Sequence, residues 1–233
     1  MNYSQNIVLI PTLNEKENLK NLVPAIFQAM PDISVLIVDD NSKDGTEEYL
    51  NSAKGKYSNL FLLQRKSNFG YGKACIDGFK WFLDHGFENV VTMDADFSHD
   101  FKAIPGLLGR LLESDVVIGS RYIPGGKIEN WRFHRRILSK IANFYVQTIL
   151  QSNISDFTTG FNAYKREIIQ KVNLNDIRSD GYAFLVELKY KLAKSGAKIS
   201  EFPITFSERR EGQSKMSGKI IWESVKLPWR LRF

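Results

Sequence analysis

The sequence predicts an α/β fold: a single domain on a mostly parallel central sheet flanked by helices, followed by an amphipathic C-terminal segment. Three observations carry this. Short apolar runs alternate with segments of helical periodicity through the first 120 residues, the pattern of a parallel sheet with right-handed crossovers. The ends of three apolar runs are acidic or polar, at Glu15, Asp39-Asp40 and Asp94-Ala95-Asp96, as expected where an open sheet turns the carboxyl ends of its strands to a ligand. No internal repeat, low-complexity tract or linker divides the chain.

The elements follow in order. Residues 7–10 are an apolar run ending in Pro11-Thr12-Leu13-Asn14-Glu15. Residues 18–30 carry Leu19, Leu22, Val23, Ile26, Phe27 and Met30 at helical spacing. Asn14 is the expected cap, and Glu15 and Glu17 suit the positive end of the helix dipole. Residues 34–38 form a second strand, which runs into Asp39-Asp40-Asn41-Ser42-Lys43-Asp44-Gly45-Thr46, and a helix is expected over 46–53. A third strand spans 60–63. Asn68-Phe69-Gly70-Tyr71-Gly72-Lys73 reads as a tight turn before a helix over 74–84. Residues 90–93 and 115–119 supply the fourth and fifth strands.

Composition narrows the class. Hydrophobic residues are 43% of the 233 and charged residues 25%, ordinary for a globular domain with a core. Cys75 is the sole cysteine; it permits no intrachain disulfide, fits a reducing compartment, and reads as a core residue. The polar start Met1 to Asn6 predicts no signal peptide, and no stretch reaches the roughly 18 apolar residues of a membrane span. The expectation is a soluble or peripheral protein. Of the net charge of +6, residues 127–145 carry +4 and residues 207–233 another +4, so the remainder is acidic. Two confined basic patches suit an anionic partner such as phosphate or a lipid surface. They lack interleaved stacking aromatics outside the tail, which ranks nucleic acid last among partners.

The turn after the first strand lacks Gly-x-Gly-x-x-Gly, which excludes a dinucleotide site. Gly70-Tyr71-Gly72-Lys73 lacks the upstream glycine and following hydroxyl of a Walker loop. At Asp94-Ala95-Asp96, two carboxylates at a strand end offer oxygens suited to a hard divalent cation, Mg2+ or Mn2+, and such a cation commonly recruits a phosphorylated substrate. His99 and His134 are candidates for acid–base chemistry, although lone histidines are more often structural.

Four motifs then occur in series: Ile10-Pro11-Thr12-Leu13-Asn14-Glu15, Val38-Asp39-Asp40-Asn41-Ser42 with Asp44-Gly45-Thr46, Asn68-x-Gly70-x-Gly72-Lys73-Ala74, and Met93-Asp94-Ala95-Asp96-x-Ser98-His99. They resemble the inverting nucleotide-sugar glycosyltransferases of GT-A fold. Gly119-Ser120-Arg121-Tyr122, Trp131-x-x-x-Arg135-Arg136-x-x-Ser139, Asp156-x-Thr158-x-Gly160-Phe161 and Phe206-x-x-Arg209-x-x-Gly212-x-Ser214-Lys215-Met216 follow. These are similar to the dolichyl-phosphate mannose synthases, and the last motif discriminates most.

The resemblance implies a donor, GDP-mannose, and an acceptor, polyprenyl or dolichyl monophosphate. It implies that Pro11, Leu13, Glu15, Val38 and Asp40 border the nucleoside. Asp94, Ala95 and Asp96 would meet the sugar diphosphate, with the metal on Asp96 and Ser98. Arg209 and Lys215 would hold the diphosphate, Arg121 would sit near the reacting centre, and Arg135 and Ser139 would hold the acceptor phosphate. Leu13 stands where many relatives carry Tyr, and Ser98 where many carry Gln. Residues 1–206 would form the transferase domain, and 207–233 would complete the site and touch a membrane. A peripheral position on the cytoplasmic face follows, with a separate membrane-anchor subunit as a possible partner. The rival expectations are a UDP-glucose transferase acting on the same lipid and a non-catalytic binding subunit.

Overall fold

The computed structural model describes residues 2–208 and 218–233, with side chains described in the latter stretch from residue 225 onward. The strands are β1 (Asn6–Thr12), β2 (Ser34–Asp39), β3 (Leu60–Gln64), β4 (Asn89–Thr92), β5 (Val116–Ser120), β6 (Lys127–Ile128), β7 (Asn162–Lys165), β8 (Ile199–Pro203) and β9 (Thr205–Phe206). The helices are α1 (Lys16–Ala29), α2 (Thr46–Ala53), α3 (Tyr71–Asp84), α4 (Ile104–Arg110), α5 (Phe133–Leu150), α6 (Arg166–Gln170), α7 (Gly181–Lys194) and α8 (Gly218–Arg232).

Seven strands form one sheet in the order β3-β2-β1-β4-β7-β5-β8, and β6 pairs with β9 in a small second sheet. All pairings in the large sheet are parallel except those of β7, which runs antiparallel to both β4 and β5. The carboxyl ends of β1, β2, β4, β5 and β8 therefore share one edge with the start of β7. Both faces of the sheet interior are covered, so β1, β2, β4 and β5 read as largely apolar runs. Along β1, Ile7 and Leu9 enter the core beneath α3 and α7, while Val8 and Ile10 enter the core beneath α1, α2 and α4. The last helix, α8, packs on α5 and α7 with Leu227 buried in the first of these cores.

Two local expectations differ. Asn14 does not cap α1: it sits at φ 57°, its side chain accepts from the Lys43 amide at 2.8 Å, and its amide donates to Ser42 Oγ at 2.8 Å. The Lys16 amide at the head of α1 instead donates to Asp44 Oδ2 at 2.9 Å, so the neighbouring loop caps the helix. The glycine-rich turn is also shorter than expected, because α3 begins at Tyr71. Gly72 donates its amide to Asp180 Oδ1 at 2.6 Å, and Gly70, at φ 139°, has no room for a side chain against the Asp180 carboxylate.

Candidate active site

The shared sheet edge gathers most of the residues singled out in sequence. At the end of β1, Pro11 pairs in register with Val38 of β2, and the Asp40 amide donates to Thr12 O at 2.9 Å. Leu13 and Glu15 lie half-buried on the turn that follows. Asp40 is buried and held on both oxygens. Arg65 pairs with Oδ1, and the Gly70 amide reaches Oδ2 at 2.7 Å. Arg65 also holds Asp77 at 2.8 Å and the Asn68 carbonyl at 2.6 Å. This fixes the Asp40 carboxylate at the head of α3, a role the sequence does not show for Arg65.

At the end of β4 the chain turns sharply. Phe97 adopts φ 60°, a left-handed conformation costing about 1–3 kcal/mol in a bulky residue. The turn lets the Ser98 amide donate to Asp96 Oδ1 at 3.0 Å. Asp96 is only 5% exposed, and Ser98 Oγ is buried with no hydrogen-bond partner among the described residues. A fixed carboxylate beside an unsatisfied buried hydroxyl oxygen fits the all-oxygen ligation of a hard cation. Among the described residues no three His, Cys, Asp or Glu side chains cluster as a metal cage, so the remaining ligands would be water and substrate oxygens, as Mg2+ prefers. Asp94 is half-buried, and its amide donates to His99 Nδ1 at 3.1 Å. That commits Nδ1 of His99 to the backbone. Its ring stacks on Phe161 at 5.0 Å. Tyr71, at the head of α3, has its hydroxyl at Gly160, where a Cβ would also meet Asp94 Oδ1. Burial pushes the Tyr71 hydroxyl well above its usual pKa, with neighbouring Cys75 and Asp94 adding to the effect.

Arg121 follows β5 and is almost completely buried. Its Nε and Nη2 donate to the two oxygens of Asp156 at 2.7 Å each, its amide donates to Asp156 at 3.1 Å, and Nη2 reaches Thr158 Oγ1 at 2.6 Å. Burial opposes ionisation of Asp156, but the Arg121 charge and hydrogen bonds outweigh it and hold the carboxyl below its usual value. Lys189, fully buried on α7, donates to the Asp156, Phe157 and Thr159 carbonyls at 2.9, 3.0 and 2.9 Å. Burial brings its pKa down to about 7 despite Asp156. A lysine inside the apolar run of α7 was the sequence signal for this anchor.

The aromatic rings of Tyr122, Trp131 and Phe206 surround Arg121, their centroids 5.3, 5.6 and 5.2 Å from its guanidinium carbon. Tyr122 donates its hydroxyl to Ser139 Oγ at 2.7 Å. Arg135 lies 4.1 Å over the Trp131 ring and pairs with Glu208 at 3.3 Å. Arg135 and Ser139, one turn apart on α5, thus reach the same locality as Arg121. Arg209 and Lys215 lie outside the described residues. Among the described residues, Ser207 lies beside the acidic turn and donates its amide to Ser98 O at 3.1 Å. His134 is exposed on α5 and away from these contacts.

Comparisons with known proteins give the family and the fold. The model for Glycosyl transferase family 2 matches residues 7–172. An undecaprenyl-phosphate mannosyltransferase of Micrococcus luteus is 40% identical over 94% of this chain and 90% of its own length. A polyprenol monophosphomannose synthase of Mycolicibacterium smegmatis is 41% identical over 95% of this chain and 84% of its own. A dolichol-phosphate mannosyltransferase of Pyrococcus furiosus is 38% identical over 96% of this chain, which spans 62% of that protein. Among solved structures, glucosyl-3-phosphoglycerate synthase of Mycobacterium tuberculosis, in complex with Mn2+, UDP and glucosyl-3-phosphoglycerate, has the same fold at TM-score 0.71 and 15% identity, covering 97% of this chain and 79% of that one. With the family model spanning most of the sequence and relatives near 40% identical along nearly all of it, the chain has a GT-A fold and belongs to glycosyl transferase family 2.

Proposed function

We propose that this protein transfers mannose from GDP-mannose to a polyprenyl (dolichyl) monophosphate, inverting the anomeric carbon to give a β-linked polyprenyl phosphate mannose. One observation carries the reading. Arg135 and Ser139, proposed here to hold the acceptor phosphate, lie near the start of a helix whose apolar face is open to solvent. Phe133, Ile137, Leu138, Ile141 and Phe144 are all exposed on α5, Phe144 by 70%, among the basic residues Arg132, Arg136 and Lys140. A phosphate group held at the start of such a face suits a lipid phosphate whose chain continues into a membrane. The mannosyltransferase relatives support the same choice.

The residues divide the work. Pro11, Leu13, Glu15, Val38 and Asp40 would line the nucleoside, with Asp40 oriented by Arg65 and Gly70. Asp94, Ala95 and Asp96 would meet the sugar diphosphate, and Asp96 with Ser98 would hold the cation. Mg2+ or Mn2+ bound there supplies Lewis-acid neutralisation of the departing diphosphate. Arg209 and Lys215 would stabilise the same charge, Arg as a fork and Lys as a point charge. Arg121, pinned by Asp156, would present fixed positive charge at the reacting centre. Ser139 accepts from Tyr122 and so keeps its own proton for the acceptor phosphate, and the buried Trp131 indole N–H has no partner among the described residues. The acceptor arrives as an anion and needs no general base, which agrees with the commitment of His99 Nδ1 to a backbone amide.

A panel of nucleotide sugars incubated with Mg2+ or Mn2+ and polyprenyl phosphate tests the reading. Labelled lipid is expected from GDP-mannose, with the β anomer by NMR. Dominant transfer from UDP-glucose would replace the donor assignment, and no transfer from any donor would favour a binding subunit.

No helix among the described residues is long and apolar enough to cross a membrane. Contact would be peripheral, at the cytoplasmic face, through α5, the exposed Val225 and Trp229 of α8, and Phe233 just after it. Trp229 Nε1 donates to Tyr145 OH at 2.9 Å, which joins the two helices into one surface. A separate membrane-anchor subunit would add to this contact. Truncation of α8 would uncover the core at Leu227, so α5 offers the cleaner test. The pair Leu138→Glu and Phe144→Glu is expected to abolish vesicle pelleting. It should lower transfer to long polyprenyl phosphate in vesicles about tenfold or more, through lost apolar burial and added repulsion. Transfer to a short soluble analogue should hold. Equal loss on both acceptors would make the α5 face structural.

A further inference from the structure

We infer that Phe206 is the positioning residue that sets the donor half of the site in register with the acceptor half. This rests on the transfer reaction proposed above. Phe206 closes the short strand β9 and is clamped by its backbone on two sides. It bridges His99 in the acidic turn, and on the other side its carbonyl accepts from the Glu129 amide at 2.8 Å, beside its own pairing with Ile128 of β6. Its ring then touches a residue from each functional group. His99, which holds the Asp94 amide, meets it edge-on with centroids 5.4 Å apart and planes at 74°. Trp131, which carries Arg135 on its ring, meets it at 5.3 Å and 76°. The Arg121 guanidinium lies 5.2 Å from its centroid.

Three segments of distant sequence, at 94–99, 121–135 and 206–208, therefore share one rigid ring as a spacer. The chain continues from this ring, within three residues, to Arg209. A single displacement requires the acceptor oxygen and the anomeric carbon to meet along one line, and tolerance for misplacement is small. An aromatic ring has two χ angles and edge-to-face contacts of preferred geometry, so it fixes that spacing better than an aliphatic side chain of similar volume. The role inferred for Phe206 is indirect, acting through its contacts with His99, Trp131 and Arg121.

The test compares Phe206→Leu with Phe206→Tyr, and with Phe206→Met as a second aliphatic variant if the Leu form is poorly folded. The aliphatic variants are expected to lose about a hundredfold in kcat, the cost of a misplacement near 1 Å. Their affinity for Mn2+ with GDP should stay within about threefold, and Phe206→Tyr should retain activity. A second readout needs no turnover. Calorimetric binding of farnesyl phosphate to the wild type is expected to change about fivefold or more when Mn2+ and GDP are present, a usual size for coupled sites. In Phe206→Leu or Phe206→Met the two ligands should bind independently. Aliphatic variants with wild-type kcat and coupling, a wild type without coupling, or a Tyr variant as impaired as Leu would overturn the inference. A wild type that couples the ligands yet transfers no mannose would instead refute the proposed reaction alone.

Discussion

Asp96→Asn is expected to lower sugar transfer by about a thousandfold, because the cation proposed to sit on this carboxylate would take with it several kcal/mol of charge stabilisation at the departing diphosphate. The substitution isolates charge from shape. Asp96 is 5% exposed and accepts the Ser98 amide through Oδ1 at 3.0 Å. An asparagine keeps that acceptor and so keeps the turn that Phe97 strains to make. Asp96→Ala removes both, so it should match the Asn variant in activity and fall below it in stability. Mn2+ binding followed by electron paramagnetic resonance should weaken in both variants, and the Tm of the Asn variant should stay close to wild type. Full activity in either variant, or of wild type in EDTA, would remove Asp96 from the reaction. The same experiment weighs Ser98: Ser98→Ala costs little if water intervenes between its hydroxyl and the cation, and several-fold in Mn2+ affinity if it ligates directly.

How far the sequence discloses this molecule depends on how local each feature is. The parallel half of the sheet was legible because β1, β2 and β4 are buried on both faces, the edge strand β3 is apolar as well, and each is followed by a helix. The antiparallel β7 was not: Asn162–Lys165 is four residues with two polar ones, and its place between β4 and β5 is a matter of long-range pairing. The edge strand β8, half-exposed and carrying Ser200 and Glu201, was silent for the same reason. At the site, the acidic turns stood out since they interrupt apolar runs. Their supports did not. Arg65, Asp180 and Lys189 each act on residues far away in sequence, across separations of 25, 108 and 33 residues. Asp156, Thr158 and Phe206 fall inside motifs that resemble the family, yet only the folded chain shows what they touch. The expected cap at Asn14 failed because Asp44, 28 residues downstream of Lys16, supplied the acceptor for the Lys16 amide.

Asp156→Ala should be the most destabilising single change near the site. Asp156 is fully buried and offers its oxygens to three groups of Arg121 and to the Thr158 amide. Its removal strands the Arg121 guanidinium, also buried, without a counter-charge. Breaking a buried pair from one side costs about 3–5 kcal/mol, which for a chain of this length is a fall in Tm of roughly 10 °C. With Arg121 proposed to face the reacting centre, transfer should fall with it by about a hundredfold, since that charge loses its fixed position. The pH dependence of stability separates the partners. The folded pKa of Asp156 lies below its unfolded value near 3.8. Its contribution is therefore complete above that value and is lost as the pH falls through the folded pKa, and the Ala variant should lack this part of the acid limb. Lys189 acts in the opposite range. Its folded pKa is about 7 against 10.5 unfolded, so between those values the unfolded chain holds a proton that the folded chain does not. This group makes stability rise with pH across that window and adds no slope below it. Lys189→Met leaves three carbonyls without their donor and should be less stable throughout, but urea midpoints measured from pH 6 to 10 should show the wild-type slope gone. An unchanged slope in that variant would mean that Lys189 stays charged in its carbonyl cage, and that the Asp156–Arg121 pair is held by the same ammonium at every pH.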